Sequence, residues 1–192
     1  LEAVKAAKKH GATVSLDTNY RSKLWSIEKA SRVIGELMRY TDICITNPGD
    51  IKDLFGIVSD KADFDLKKPD NEGAASVAEK LMKKYPLKGA ALTLRTNLSA
   101  SDNDFGAMLC GGETAVFSRK YRMHIADRVG GGDAFAAGLI YSLLKQKAPQ
   151  DAVEFATAAA VLKHSIEGDF NRVAAAEVES LAGGDGSGRV QR

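Results

Sequence analysis

The chain has 192 residues, of which 44% are apolar and 27% charged, a balance typical of a folded globular protein rather than a disordered one. Its 27 lysines and arginines nearly cancel 25 aspartates and glutamates, and the resulting net charge of +2 gives no support for binding to nucleic acid or a membrane surface. No apolar run approaches the ~20 residues of a membrane-spanning helix, and the length favours a single domain with its own hydrophobic core.

Helical and β-rich segments alternate along the first half of the chain. Residues 1–10 predict a helix that Gly11 ends. Residues 27–40 predict an amphipathic helix, whose apolar face comprises Ile27, Ala30, Ile34, Leu37 and Met38. Two further helices are predicted at 47–54 and at about 72–85, with an irregular polar excursion over 57–71 between them. The predicted strands cover residues 13–17, 42–46 and 89–94.

The second half begins with a predicted β-hairpin and ends in two predicted helices. Residues 105–109 and 114–118 form the hairpin around a glycine turn, and the acidic segment Ser101–Asp104 is predicted as a loop. A strand at 121–126 precedes a glycine run, and a last helix spans about 151–164. The helix after the glycine run is predicted to bury Phe135, Leu139, Leu143 and Leu144.

Strands that alternate with helices favour an α/β fold, with a mostly parallel sheet covered by helices on both faces and an antiparallel hairpin at one edge. One domain is predicted over residues 1–181, followed by a flexible, glycine-rich tail at 182–192. Cys44 and Cys110 lie far apart in sequence and match no disulfide or zinc pattern. This cysteine usage indicates a reducing compartment and structural roles for both residues.

The segment Arg128–Phe135, RVGGGDAF, carries the strongest chemical signal. Gly130, Gly131 and Gly132 precede a helix whose first N–H groups have no intrahelical partner and carry a partial positive charge, which suits a phosphate. A carboxylate at that position, Asp133, is suited to accept a proton from a hydroxyl group that attacks the phosphate. The alternative is a tight glycine turn in which Asp133 only caps the helix. A Walker-type phosphate loop, GxxxxGK[ST], is absent from the sequence.

VGGGDAFAAGLIYSL resembles the C-terminal signature of the ribokinase-like (PfkB) carbohydrate kinases, D-T-x-G-A-G-D-x-F. It departs from that signature at Gly131, where the family has alanine, and at Arg128, where threonine is common. Three other segments, SLDTNYRSKLW, TLRTNLSASDNDFGAML and KHSIEGDFN, resemble the family members that phosphorylate 2-dehydro-3-deoxy-D-gluconate. The resemblance runs over residues 1–180 and implies a three-layer αβα sandwich. It covers only the C-terminal part of the family's chain, because the N-terminal sugar motif and the β-sheet lid have no counterpart here.

The resemblance implies Asp133 as the catalytic base and Gly130–Gly132 as the anion hole for the transferred phosphate. Arg21 corresponds to an arginine that meets both substrate and nucleotide phosphate, and a guanidinium can bind a carboxylate or phosphate bidentately. Asp169 corresponds to a substrate-binding aspartate. The structural alternatives are a surface arginine at position 21 and an Asx-type turn at position 169.

Nucleotide and metal contacts follow from the same resemblance. Asn47 and Asp50 stand at the family's N-x-x-E, which is associated with Mg²⁺ and phosphate, although Asp50 is one methylene shorter than the usual glutamate. The alternative for Asp50 is an ordinary acidic residue in a first helical turn. The residues implied for ATP binding are Asn19, Arg21, Asn47, Thr93, Arg95, Gly130, Gly132 and Thr157.

The function that the resemblance implies is ATP- and Mg²⁺-dependent phosphorylation of a sugar acid, from 2-dehydro-3-deoxy-D-gluconate to its 6-phosphate. The partners expected are this small molecule and ATP, without nucleic acid or membrane, in the cytoplasm. Assembly into a homo-oligomer is left open. Two alternatives also stay open: a PfkB-type kinase for a ribose-like or fructose-like sugar, and a truncated nucleotide-binding module without turnover.

Overall fold

The computed structural model describes residues 1–112 and 114–184. Within these residues, strands and helices alternate through the first half, as the sequence predicts. The helices are α1 Glu2–Lys9, α2 Ile27–Met38, α3 Pro48–Phe55, α4 Asn71–Lys84, α5 Gly131–Leu144, α6 Pro149–His164 and α7 Ala175–Gly183. The strands are β1 Ser15–Asp17, β2 Ile43–Thr46, β3 Gly89–Asn97, β4 Asp102–Gly111, β5 Thr114–Phe117 and β6 Tyr121–His124.

The strands form one mixed sheet in the order β1-β2-β3-β4-β5, with β6 also paired to β4. β1, β2 and β3 are parallel, and the register places Leu16 opposite Cys44 and Cys44 opposite Ala90. β4 and β6 are antiparallel. The parallel strands are joined through helices, as parallel pairing of successive strands requires. The prediction of an α/β fold with antiparallel strands beyond the parallel ones is confirmed.

Local sequence determines where several helices begin and end. The Ser26 hydroxyl accepts a hydrogen bond from the Lys29 N–H and caps α2, and the Asp70 carboxylate accepts from the Gly73 N–H and caps α4. Gly56 follows α3 with a φ of +66°, a left-handed conformation that glycine adopts without steric cost. These signals explain why the predicted helix boundaries in the first half lie within two residues of the observed ones.

The prediction of a loop at Ser101–Asp104 is wrong, because β4 begins at Asp102. Asp102 lies opposite His124 and Asp104 opposite Arg122 in the antiparallel register with β6. The Arg122 side chain donates to Asp104 at 2.9 Å and 3.1 Å, and the His124 ring is hydrogen-bonded to Asp102 at 3.0 Å. Cross-strand partners therefore make acidic residues compatible with this strand.

The second half departs from the prediction at two further points. Leu144 is 79% exposed, and α5 instead buries Gly138 and Ser142 together with Phe135 and Leu139. α7 was not predicted; it packs on α6 through Val178, in a cluster with Phe155, Ala158 and Ala159. Of the tail predicted at 182–192, residues 182 and 183 belong to α7, and residues 185–192 lie outside the described residues.

The chain divides into two compact units, with residues 1–94 and 108–116 in the first and residues 95–107 and 117 onward in the second. The core of the first unit includes Cys44. Burial raises the pKa of its thiol to about 12. In the second unit, α5 packs closely on α6, because a Cβ atom at Gly138 would lie 3.0 Å from the Cα of Ala156. No helix in the described part of the chain has the length and apolar character to cross a bilayer.

Candidate active site

In the first unit, several of the predicted site residues follow the carboxyl ends of parallel strands. Asn19 lies two residues beyond the end of β1, and Asn47 comes directly after β2. Thr93 lies in β3, one residue beyond the position paired with Thr46. Its hydroxyl is 3.5 Å from the Thr46 carbonyl, which accepts its hydrogen bond. Ligands of open α/β sheets bind at the carboxyl ends of strands, and contact of these residues with ATP stays a prediction.

Asp50 links the segment after β1 to the start of α3 by hydrogen bonds. Its Oδ2 accepts hydrogen bonds from the Thr18 hydroxyl at 2.8 Å and from the Tyr20 N–H at 3.2 Å. The Asp50 N–H in turn donates to Oδ1 of Asn47 at 2.9 Å, which makes Asn47 the N-cap of α3. Thr18 and Thr46 also share a hydrogen bond of 2.9 Å between their hydroxyls. The carboxylate thereby fixes the turn that leads from β1 to Arg21.

Because Asn47 and Asp50 serve this local network, they do not form a preformed cation cage. Three His, Cys, Asp or Glu side chains that could hold a metal ion do not come together anywhere in residues 1–112 and 114–184. A Mg²⁺ ion held by the protein alone would need such oxygen ligands in near-octahedral geometry. The Mg²⁺ role of Asn47 and Asp50 stays a prediction.

Arg21 is exposed in the turn after β1. The turn begins at Asn19, whose φ is +37° and whose N–H donates to Oδ1 of Asp17 at 3.0 Å. The Arg21 Nη1 donates to the Tyr20 carbonyl at 3.0 Å. Since a guanidinium carries five N–H donors, this bond leaves Arg21 able to bind an anion bidentately.

In the second unit, the glycine run forms an open helix N-terminus. Gly130 is the N-cap residue of α5, with a φ of +78°, and no side chain of the described residues forms a capping hydrogen bond there. The first helical hydrogen bond runs from the Ala134 N–H to the Gly130 carbonyl at 2.8 Å. The N–H groups of Gly131, Gly132 and Asp133 precede it and have no intrahelical acceptor. The alternative in which Asp133 caps the helix is not what the structure shows.

Each of the three glycines has different surroundings, so the reason for a glycine differs from one position to the next. A Cβ atom at Gly130 would lie 2.6 Å from the Asp169 carbonyl oxygen, and one at Gly131 would lie 2.3 Å from the His164 ring. Nothing lies within 4 Å of a Cβ atom placed at Gly132. Of the three positions, only Gly132 therefore has open space where a side chain would stand. Gly130 and Gly131 are needed because other parts of the unit pack behind the loop.

Asp127 links the glycine loop to the segment that carries Asp169. Its Oδ1 accepts from the Val129 N–H and its Oδ2 from the Gly168 N–H, both at 2.9 Å. These backbone hydrogen bonds lower the pKa of Asp127. Since the Asp169 carbonyl also packs against Gly130, the structure brings the predicted anion hole, Asp133 and Asp169 into one neighbourhood.

Three positively charged side chains influence His164, whose ring lies beside Gly131. Burial, together with the charges of Arg95, Lys163 and Arg128, holds the pKa of His164 below its usual value. Burial and the charge of Arg128 likewise lower the pKa of Arg95. The Arg128 guanidinium donates to the Ala100 carbonyl at 2.7 Å. Cations that repel one another around an uncapped helix N-terminus are stabilised by a bound anion.

Thr157, one of the residues implied for ATP binding, is fully buried in α6. Its hydroxyl donates to the Val153 carbonyl at 2.7 Å, one turn earlier in the same helix. This back-bonding is common for threonine inside helices and leaves no exposed polar atom for a nucleotide. The ATP contact of Thr157 stays a prediction that this geometry does not support.

Sequence analysis missed four residues that build these two neighbourhoods: Thr18, Asp127, Lys163 and His164. For Lys163 a signal was available, because the apolar spacing of Ala152, Ala156 and Ala159 continues to position 163 and places it on the buried face of α6. For Asp127 the signal was an aspartate just ahead of a glycine-rich turn, because aspartate there commonly accepts the N–H two residues later in an Asx turn, as Asp127 does from Val129. His164 contributes to the site because its ring packs against Gly131, and hydrophobic periodicity does not predict a contact between residues so far apart in sequence.

A family model described as pfkB family carbohydrate kinase matches residues 1–171. The chain therefore belongs to the pfkB family of carbohydrate kinases. The α/β fold that the sequence predicted is accordingly the ribokinase-like fold.

Among solved structures, 2-dehydro-3-deoxygluconokinase from Thermotoga maritima is 40% identical, with a TM-score of 0.88 over 95% of this chain and 54% of that chain. A curated relative, 2-dehydro-3-deoxygalactonokinase from Haloferax volcanii, is 26% identical over 185 residues, which are 96% of this chain and 52% of the relative. Ribokinase from Arabidopsis thaliana, solved with ribose and ATP, is 21% identical with a TM-score of 0.64, over 94% of this chain and 51% of that chain, and shows the shared fold alone. The chain spans about half the length of the relatives it matches.

Proposed function

We propose that this protein is an ATP-dependent sugar kinase in which Asp133 is the general base. The observation that carries the proposal is the N-terminus of α5, where three backbone N–H groups are uncapped and an exposed carboxylate, Asp133, follows directly. A helix N-terminus of this kind stabilises phosphate oxygens, and its carboxylate is placed to receive a proton from an attacking hydroxyl group.

Asp133 accepts the proton of the sugar's terminal hydroxyl as that oxygen bonds to the γ-phosphorus and the bond to the leaving ADP breaks. The N–H groups of Gly131 and Gly132 hold the charge that develops on the phosphoryl oxygens. Asp169, beside Gly130, is proposed to accept hydrogen bonds from the sugar hydroxyls. Arg21 is proposed to bind an anionic group of the substrate or nucleotide.

The residues of the second unit fit a nucleotide phosphate, because the uncapped N–H groups of α5 follow Arg128 in the chain and lie beside His164, whose pKa the charges of Arg95 and Arg128 help to lower. In the first unit, Asn19, Asn47 and Thr93 are proposed as further ATP contacts. Bound ATP supplies the phosphoryl group, and Mg²⁺ is proposed to enter with the nucleotide phosphates because the described residues offer no preformed metal cluster.

For the acceptor we propose a 2-dehydro-3-deoxy sugar acid, as in the names of the relatives from Thermotoga maritima and Haloferax volcanii. 2-Dehydro-3-deoxygluconate is the first choice, since the identity is 40% for the former and 26% for the latter. Phosphorylation rates of the gluconate and galactonate forms, with ribose and fructose as neutral sugars, distinguish these substrates. A higher kcat/KM for ribose or fructose would contradict the sugar-acid assignment, and Arg21→Ala should raise the KM of the acid most.

The base is tested with Asp133→Asn, which keeps the shape of the side chain and removes its ability to accept a proton. The expected result is a kcat lower by about 10²–10⁴-fold, with ATP binding retained in calorimetry. Asp151→Asn is the matched control, because Asp151 also lies in the first turn of a helix, α6, and should leave kcat unchanged. Turnover of Asp133→Asn within a few-fold of the wild type would overturn the assignment.

A further inference from the structure

Lys163 is an ionisable side chain that the mechanism above does not use, and it is fully buried in the second unit. It occupies the last turn of α6, and its Nζ donates to the Ile166 carbonyl at 2.9 Å. A charged group is rarely buried unless it is paired or has a role, because removal of an ammonium ion from water costs several kcal/mol.

The surroundings of Lys163 are the glycine loop and the segment that follows α6. Its Cε would lie 3.1 Å from a Cβ atom at Gly130, so the end of the side chain packs directly behind the N-cap of α5. The positive charge of Lys163 also lowers the pKa of Asp127, the carboxylate that binds the N–H groups of Val129 and Gly168. One buried cation thus contacts or influences both segments that form the proposed phosphate site.

We propose that Lys163 is a positioning residue of this phosphate site, through a fixed positive charge behind the Gly130 loop. The ammonium group stabilises the 163–166 turn through its hydrogen bond to the Ile166 carbonyl. Lys163 and Asp127 together hold the 127–130 and 168–169 segments in place. The ammonium group also adds to the positive potential at the uncapped N–H groups of α5. This inference rests on the proposed function, because it assigns Lys163 to the same nucleotide phosphate.

Lys163→Met removes the charge and keeps the length of the side chain, and Lys163→Gln also keeps a donor for the Ile166 carbonyl. In calorimetry, both variants should bind ATP with an affinity lower on the order of tenfold. Loss of the attraction between two unit charges ~10 Å apart, at an effective dielectric constant near 20, weakens binding by about that factor. The KM for ATP should rise likewise while the KM for the sugar acid changes less than about twofold. Lys147→Met is the control, because Lys147 pairs with Glu179 at 2.9 Å on the exposed surface of the same unit.

A second readout separates charge from packing. Lys163→Ala leaves space where the ammonium lay, and ammonium chloride should restore part of its ATP affinity, whereas tetramethylammonium chloride at equal ionic strength should not. Thermal unfolding confirms that each variant is folded, and Lys163→Gln replaces any variant that is not.

Wild-type protein that binds no ATP would overturn the proposed function and this inference with it. Wild-type protein that binds ATP, with folded Lys163→Met or Lys163→Gln of equal affinity, would overturn the inference alone. Weakened binding by Lys163→Ala that ammonium ions do not restore would also contradict a role of the charge and leave packing as the cause.

Discussion

Two helix N-termini of this protein, those of α3 and α5, are built from similar turn residues and have opposite properties. α3 is closed: Asn47 accepts the Asp50 N–H at 2.9 Å, and Pro48, which has no N–H, occupies the first helical position. α5 is open: Gly130 has no side chain, and no cap from the described residues replaces it. Both carry an aspartate in the first turn, so the acidic residue alone does not distinguish them.

The difference is one of available donors: the sequence of α5 leaves its first N–H groups without acceptors, as an anion site requires, and the sequence of α3 does not. In α3 the aspartate is used within the protein, because Asp50 binds Thr18 and Tyr20. In α5 the aspartate, Asp133, is exposed and forms no such hydrogen bonds within residues 1–112 and 114–184. We therefore propose the proton transfer and phosphate binding for α5 and a structural role for the Asp50 carboxylate in α3.

The largest expected effect comes from Gly130→Ala. Position 130 combines a φ of +78° with a Cβ location 2.6 Å from a backbone oxygen, that of Asp169, which cannot move aside as a side chain can. We expect a loss of about 3 kcal/mol in the free energy of unfolding, from left-handed strain and overpacking together. Gly168→Ala is the control, because its φ is +81° and nothing lies within 4 Å of its Cβ position, so it should cost about 1 kcal/mol. Equal losses in denaturant unfolding would mean that the packing behind the loop is not needed.

Gly131→Ala restores the family's usual residue and should nevertheless destabilise this protein, by about 1–3 kcal/mol. The added Cβ would overlap the His164 ring at 2.3 Å. In the double variant with His164→Ala, the alanine should cost far less than in the wild type, because the ring is gone. A double-mutant cycle measures this coupling, which should exceed about 1 kcal/mol. Additive losses would contradict direct packing between the two residues.

Asn47→Ala should lower the free energy of unfolding by about 1 kcal/mol, because it removes the cap of α3. Asn71→Ala, at an exposed position in α4, should change it by less than about 0.5 kcal/mol. Chemical denaturation of both variants tests whether the side-chain cap at the N-terminus of α3 contributes to the free energy of unfolding. A cost for Asn47→Ala no larger than that of the control would show that α3 does not depend on its cap.

The smallest expected effect is a pH dependence at the open end. The pKa of His164 lies below its usual value near 6.5 in the folded protein, so the unfolded chain binds a proton more readily as the pH falls through that value. The contribution of His164 to stability is therefore present above about pH 6.5 and decreases below it. The unfolding midpoint of wild-type protein should fall more between pH 7 and pH 5 than that of His164→Met. Parallel pH profiles would contradict a buried neutral imidazole.

Much of this fold and part of the site follow from local sequence. Apolar periodicity and capping residues such as Ser26 and Asp70 determine the helices of the first half, and the glycine run predicts the uncapped N-terminus of α5. The strand at Asp102 was missed because its acidic side chains are stabilised by partners some twenty residues away in β6. Lys163 was missed because a basic residue in the last turn of a helix is common at surfaces. Long-range pairing decides the first case, whereas in the second the apolar spacing along α6 was a local signal that was not used.

The contact between Gly131 and His164 has a practical consequence for anyone who recombines these kinases. The signature segment is not a self-contained cassette, because its middle glycine packs against an imidazole 33 positions downstream. A chimera that imports the alanine form of the cassette should need a smaller residue at position 164 from the same donor. Crossover points placed after the end of α6 would keep such matched pairs together.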